Sequence, residues 1–145
     1  MNGKLLVGTL GAIAGALLGA IAWAAITATT NFQIGYMAVG VGFLAGYGMR
    51  VLSGGRDRAD GIVAGVVALF GCIVGNLLTA VVVIAQHEHY PIAVVLLAVA
   101  TKPPFAAELI RDGFNVMDLL FYAIAVYAGY RTALKPPAPG VPIAP

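Results

Sequence analysis

Few side chains in this 145-residue sequence could do chemistry. The densest set is His87-Glu88-His89. Two histidines one residue apart can both reach a metal from an extended loop, and Glu88 could add an oxygen. The run lacks the i, i+4 histidine pair of a helical zinc peptidase, and no second His-rich segment supplies further ligands. It reads as polar residues placed where a chain leaves a membrane. Gly54-Gly55-Arg56-Asp57-Arg58 has the glycines of a phosphate loop but neither its Lys-Ser/Thr ending nor a preceding strand, so nucleotide binding is not supported. The single Cys72 excludes an intrachain disulfide and any cysteine-only metal site, and its apolar surroundings make it a small packing residue. Asn76, with Thr79 one turn later, lies in the middle of an apolar run. An amide in hydrocarbon must find partners, so Asn76 should face another helix; a solute path would use such a group, but the first three apolar runs hold no carboxylate to accompany it. No catalytic, cofactor-binding or metal-binding residue is predicted, and the protein is expected not to be an enzyme.

The elements that position these residues follow from composition. Apolar residues make up 61% of the chain and charged residues 10%, and the mean hydropathy is +0.95, which a water-soluble domain could not cover with polar surface. The pattern predicts an all-α polytopic membrane protein with four transmembrane helices and a short interfacial or re-entrant helix between the third and fourth. The spans are placed at about 5–28, 34–52, 62–85 and 116–133 within a transmembrane domain covering 1–135. Thr29-Thr30-Asn31 closes the first span, Ser53-Gly54-Gly55 breaks after the second, Asp60 is a candidate N-cap for the third, and Asn115 with Asp118 has capping-box spacing for the fourth. The run Leu5–Ala28 exceeds the ~7–15 residues of a signal-peptide core, so a retained first span is expected. Segment 87–113 is predicted to lie outside: Ile92–Ala100 is too short to span, and Pro103-Pro104 with Glu108, Arg111 and Asp112 makes a fifth crossing expensive. The proline-rich stretch 136–145 cannot continue a helix.

Charge sets the orientation. With the N-terminus inside, Lys4, Arg50, Arg56, Arg58, Arg131 and Lys135 face the cytoplasm, and Lys102 and Arg111 lie outside. This is the positive-inside bias, and it requires an even number of spans. It places both termini on the cytoplasmic side of the membrane. Arg50, Arg56 and Arg58 are then the candidates for contact with anionic lipid headgroups, and the few basic groups do not form a nucleic-acid patch. Trp23, Tyr36, Tyr47, Tyr127 and Tyr130 fall toward span ends, as interfacial anchors do.

Small residues are the clearest signal inside the spans. Gly11, Gly15 and Gly19 recur every four residues on one ridge of the first span. Ala38, Gly42 and Gly46 repeat the device in the second, as do Gly61 and Gly65, then Gly71 and Gly75, in the third. Ridges without side chains let backbones approach closely, which drives helix association where lipid removes the hydrophobic effect. They predict either packing within the chain's own bundle or a face for self-association or partner subunits.

The stretch Gly35-Tyr36-Met37-Ala38-Val39-Gly40-Val41-Gly42-Phe43-Leu44-Ala45-Gly46 with Arg50, and Asp118-Leu119-Leu120-Phe121-Tyr122-Ala123-Ile124-Ala125-Val126-Tyr127 with Arg131, resembles small uncharacterised bacterial four-span integral membrane proteins. The likeness covers the second to fourth spans. It implies topology and bacterial origin, and brings no activity with it. The function expected is that of a non-enzymatic accessory or structural subunit packing against partner helices in a larger membrane complex. The alternative is a homo-oligomeric channel or small transporter. No cofactor is expected.

Overall fold

A computed structural model describes residues 2–32 and 35–134 of the chain. Lys135 and the proline-rich stretch 136–145 lie outside the described residues. Six helices follow one another among those described: α1 (Gly3–Thr30), α2 (Met37–Ser53), α3 (Arg58–His87), α4 (Ile92–Thr101), α5 (Pro103–Gly113) and α6 (Val116–Ala133).

Helices α1, α2, α3 and α6 form an up-down bundle with a rhombic section. Helix α1 packs on α2 and α3, α6 packs on α2 and α3, and α2 and α3 touch across the short diagonal. Among the described residues α1 and α6 make no direct contact. The register follows from which residues meet. Gly11 faces Gly48, Gly15 faces Leu44 and Gly19 faces Val41, so α1 and α2 are antiparallel. Gly42 meets Ala125 and Gly46 meets Gly129, so α2 and α6 are parallel. Gly61 meets Tyr130 and Gly65 meets Val126, so α3 and α6 are antiparallel. The start of α1, the α2–α3 turn and the end of α6 therefore share one end of the bundle, and with them Lys4, Arg50, Arg56, Arg58 and Arg131.

Local chemistry ends the helices where the sequence indicates, with two corrections. Asn31 takes a left-handed conformation (φ 55°) and closes α1, its N–H bonding to the Thr27 carbonyl. Gly54 (φ 92°) closes α2 in the same way, and Gly55 (φ 64°) follows it, so both turn glycines supply backbone that a side chain would strain. Asn115 and Asp118 form the expected capping box at α6, Asp118 accepting the Asn115 N–H at 2.8 Å. The first correction concerns Asp60. Helix α3 begins at Arg58 with Asp57 at the N-cap, so Asp60 lies inside the first turn, where it accepts the Ser53 hydroxyl at 2.9 Å and suits the positive end of the helix dipole. The second concerns 87–113, which forms two helices instead of one. Pro103 and Pro104 do break the chain, but they then open α5, because a proline in a first turn gives up only an N–H that has no partner there anyway. Helices α4 and α5 meet at a bend of 108°.

The four-span expectation is met in part. The 28-residue α1 and 30-residue α3 reach about 42 and 45 Å at 1.5 Å per residue, beyond the ~30 Å hydrocarbon core. These two helices are long and apolar enough to cross a membrane, and a third crossing is reached if the bent α4–α5 pair is counted as one. Helix α2 has only 17 residues, and the 18-residue α6 carries Asp118 and Arg131. Length and composition alone therefore do not qualify either as a crossing.

Candidate functional site

The glycine ridges are joined to one another within the chain. At Gly15 a Cβ would overlap the Leu44 carbonyl, and at Gly11 and Gly48 each would overlap the other's carbonyl, so the α1–α2 seam is backbone against backbone. Gly19 continues it against Val41. On the other side of α2, Gly42 meets the Ala125 carbonyl and Gly46 the Gly129 carbonyl. Gly61 lies under the Tyr130 ring and Gly65 against Val126. Gly71 receives Ala16 and Val41, and Gly75 receives Trp23. All nine predicted packing glycines therefore serve internal seams. Gly48 and Gly129 belong to the same seams and were not singled out from sequence. Gly48 lies off the Ala38-Gly42-Gly46 ridge, on the face of α2 turned to α1, and only the antiparallel register reveals it.

Asn76 sits where α3 meets the start of α6. Its Nδ2 donates to the Tyr122 hydroxyl at 3.1 Å, and that hydroxyl donates to the Cys72 carbonyl at 3.3 Å. The Cys72 thiol in turn lies 3.6 Å from the Ala38 carbonyl on α2, a weak donor in a packed site. Thr79 returns its hydroxyl to the Gly75 carbonyl of its own helix at 2.8 Å. The Tyr122 ring meets Phe114 edge-on at 6.0 Å, which ties the cluster to the α5–α6 turn. Asn76 and Tyr122 border an apolar groove of about 260 Å³, completed by Leu69, Ile73, Ile110, Phe114 and Leu119. Tyr122 is the partner the sequence could not name: a tyrosine in a span reads as an interfacial anchor until α3 is placed beside it.

Trp23 departs most from expectation. It is fully buried, its ring filling the space left by Gly75, so it is a core residue and no interfacial anchor. Among the described residues its Nε1 and the Thr27 hydroxyl, one turn further along α1, are buried without hydrogen-bond partners. Tyr36, Tyr47 and Tyr127 are exposed, as an anchoring role requires.

Among the described residues the cations of the basic end have no ion-pair partner. Arg56 and Arg58 are exposed and Arg50 is half-buried, and the only ion pair among the described residues is Arg111 with Asp112 at the opposite end. His87, Glu88 and His89 are all exposed, and no group of three or more metal-ligand side chains is gathered among the described residues. Beyond them the α4–α5 elbow rests on α3. Val95 packs against Val81 and Ala85; it is the only buried residue of α4, and α5 has none.

No family model, curated protein or solved structure matches the chain.

Proposed function

We propose that the chain is a non-enzymatic integral membrane protein of the bacterial cytoplasmic membrane. It crosses four times through α1, α2, α3 and α6 with its basic end cytoplasmic, and serves as an accessory or structural subunit that docks on partner helices through the α4–α5 elbow. The observation that carries this reading is the elbow itself. Its 10 and 11 helical residues have Val95 as their one buried side chain, while Ile92, Val94, Leu96 and Leu97 lie open on α4. A helix pair with so little of its own chain to rest on is suited to holding a neighbour. The glycine seams do not add to this argument, because internal packing uses them. Basic residues at the end shared by the start of α1 and the end of α6 support the orientation, and the short α2 and α6 are accommodated if the bilayer thins locally or flanking residues reach the interface.

The test is purification in a mild detergent that preserves native assemblies. A second membrane protein in fixed ratio is expected, retained by Leu18→Ala but lost or weakened in Leu97→Ala; the two leucines are 65% and 63% exposed, so the pair differs in place and not in burial. Recovery as a lone monomer, or equal loss with both variants, would overturn the docking role. The alternative of a homo-oligomeric channel or small transporter is favoured by one observation, the groove that ends on Asn76 and Tyr122. Solute flux into liposomes abolished by Asn76→Leu would reverse the order of the two readings.

A further inference from the structure

The outer face between α3 and α6 carries a second, larger groove of about 420 Å³, with a lining that is almost wholly apolar. Gly61 and Gly65 form its floor, Ile62 one wall, and Ala123, Tyr127 and Tyr130 the other. From Gly61 to Leu69 it runs about 12 Å along α3 at 1.5 Å per residue, within the ~15 Å depth of one bilayer leaflet. Two arginines stand one helical turn beyond one end of it. Arg58 stands four residues before Ile62 and Arg131 four residues after Tyr127, so each shares a helical face with an exposed groove wall. Because α3 and α6 are antiparallel with Gly61 under Tyr130, the two arginines lie at the same level. Both are exposed, and neither is ion-paired among the described residues. Of the nearby acids, Asp60 is buried and takes the Ser53 hydroxyl, and Asp57 is the exposed N-cap of α3. Neither this groove nor those at α1–α3–α4 and α3–α5–α6 has a cation in its lining; here the two arginines stand one turn beyond the lining residues Ile62 and Tyr127.

We infer that this groove is a binding site for one anionic diacyl phospholipid of the surrounding bilayer, with an acyl chain lying between Ile62 and Tyr127 and the phosphate held between Arg58 and Arg131. The inference rests on the membrane-embedded part of the proposed function and not on the docking role. An arginine fork suits phosphate, and the exposed Ile62, Val66, Ala123 and Tyr127 give the chain apolar surface to lie against. The assignment narrows the headgroup candidates read from sequence: Arg58 belongs to the site, Arg131 joins it, and Arg56, in the loop before α3, stands outside.

The test uses the full chain purified in neutral detergent, with phosphatidylglycerol or phosphatidylcholine added, and counts retained lipid by native mass spectrometry. One phosphatidylglycerol is expected to be retained in preference to phosphatidylcholine. Arg58→Gln and Arg131→Gln should each weaken retention about five-fold, the fold-change equivalent to about 1 kcal/mol per basic residue near an anionic surface. Ala123→Phe should abolish retention with both arginines intact, because Ala123 is exposed and the larger ring fills the furrow without entering the core. Arg56→Gln should change it less than two-fold. Equal retention of both lipids, or an Arg56→Gln loss matching that of Arg58→Gln, would overturn the site in favour of diffuse charge attraction. Partition of the same protein into vesicles separates the two ideas: a chain that stays out overturns the membrane reading as well, and one that enters without preferring phosphatidylglycerol overturns the site alone.

Discussion

The bundle and the elbow are built from opposite materials. Eight of the ten buried residues of α1 are glycine or alanine. Helix α4, made of isoleucine, valine, leucine, alanine and one threonine with no glycine, buries only Val95. In water the richer apolar helix would be the better buried. In lipid the tails are as apolar as leucine, so hydropathy gives no reason for one helix to prefer another, and close approach of backbones decides. The difference between these two regions teaches that shape, not greasiness, assembles this protein.

The largest effect should come from breaking a seam. Gly15→Leu must push α1 off the Leu44 carbonyl, and a separation of even ~1 Å forfeits many small dispersion contacts along the ridge, for a loss of several kcal/mol. Leu17, 45% exposed on another face, can become Ile with almost no change. Thermal unfolding in mild detergent and native-gel migration would report both. If Gly15→Leu behaves as the parent protein does, the seam does not hold the bundle.

A smaller effect of opposite sign separates glycines that pack from glycines that merely occur. Gly40 and Gly42 are neighbours on α2, but a Cβ at Gly40 meets nothing within 4 Å, whereas at Gly42 it would overlap the Ala125 carbonyl. Gly40→Ala should stabilise by about 0.5–1 kcal/mol through helix propensity alone, and Gly42→Ala should destabilise. A melting temperature lowered equally by both would mean that the α2–α6 seam is not specific.

This pair also marks what the sequence could and could not reveal. The four-residue spacing of Gly11, Gly15 and Gly19 announces a ridge, and the ridge is there. Spacing says nothing of register, so Gly48, which has Leu44 and Leu52 one turn to either side, becomes visible only once α1 is placed, whereas Ala125, Gly129 and Ala133 recur every four residues on α6 and the same spacing rule finds them. Trp23 misled for a related reason. Aromatic residues near span ends are interfacial on average, and only Gly75, more than fifty residues later, provides the hole that makes this one core. Asp60 misled because a carboxylate near a helix start can cap from outside or sit in the first turn, and the Ser53 hydroxyl that selects the second arrangement comes from another helix. Asn115 and Asp118 were legible because a capping box is complete within four residues. Local devices were readable from the sequence; devices shared between helices were not.

The smallest effect lies where the two regions meet. Tyr122 belongs to the bundle through Asn76 and the Cys72 carbonyl, and to the elbow's end through the edge of Phe114. Tyr122→Phe keeps the ring and the Phe114 contact and removes only the hydroxyl. Hydrogen bonds between membrane helices average about 0.6 kcal/mol with a maximum near 1.7, because the separated helices also find partners, so a loss of about 0.6 kcal/mol is expected for each of the two bonds the hydroxyl makes. Asn76→Ala should cost more, since Asn76 is held by more than the Tyr122 bond. A double-mutant cycle isolates the shared term: the pair of changes should cost less than the sum of the two alone, by about the energy of one bond. Strict additivity would mean that the Asn76–Tyr122 bond contributes nothing, leaving the Tyr122 bond to the Cys72 carbonyl and packing, through the ring and the glycine seams, to join α6 to α3.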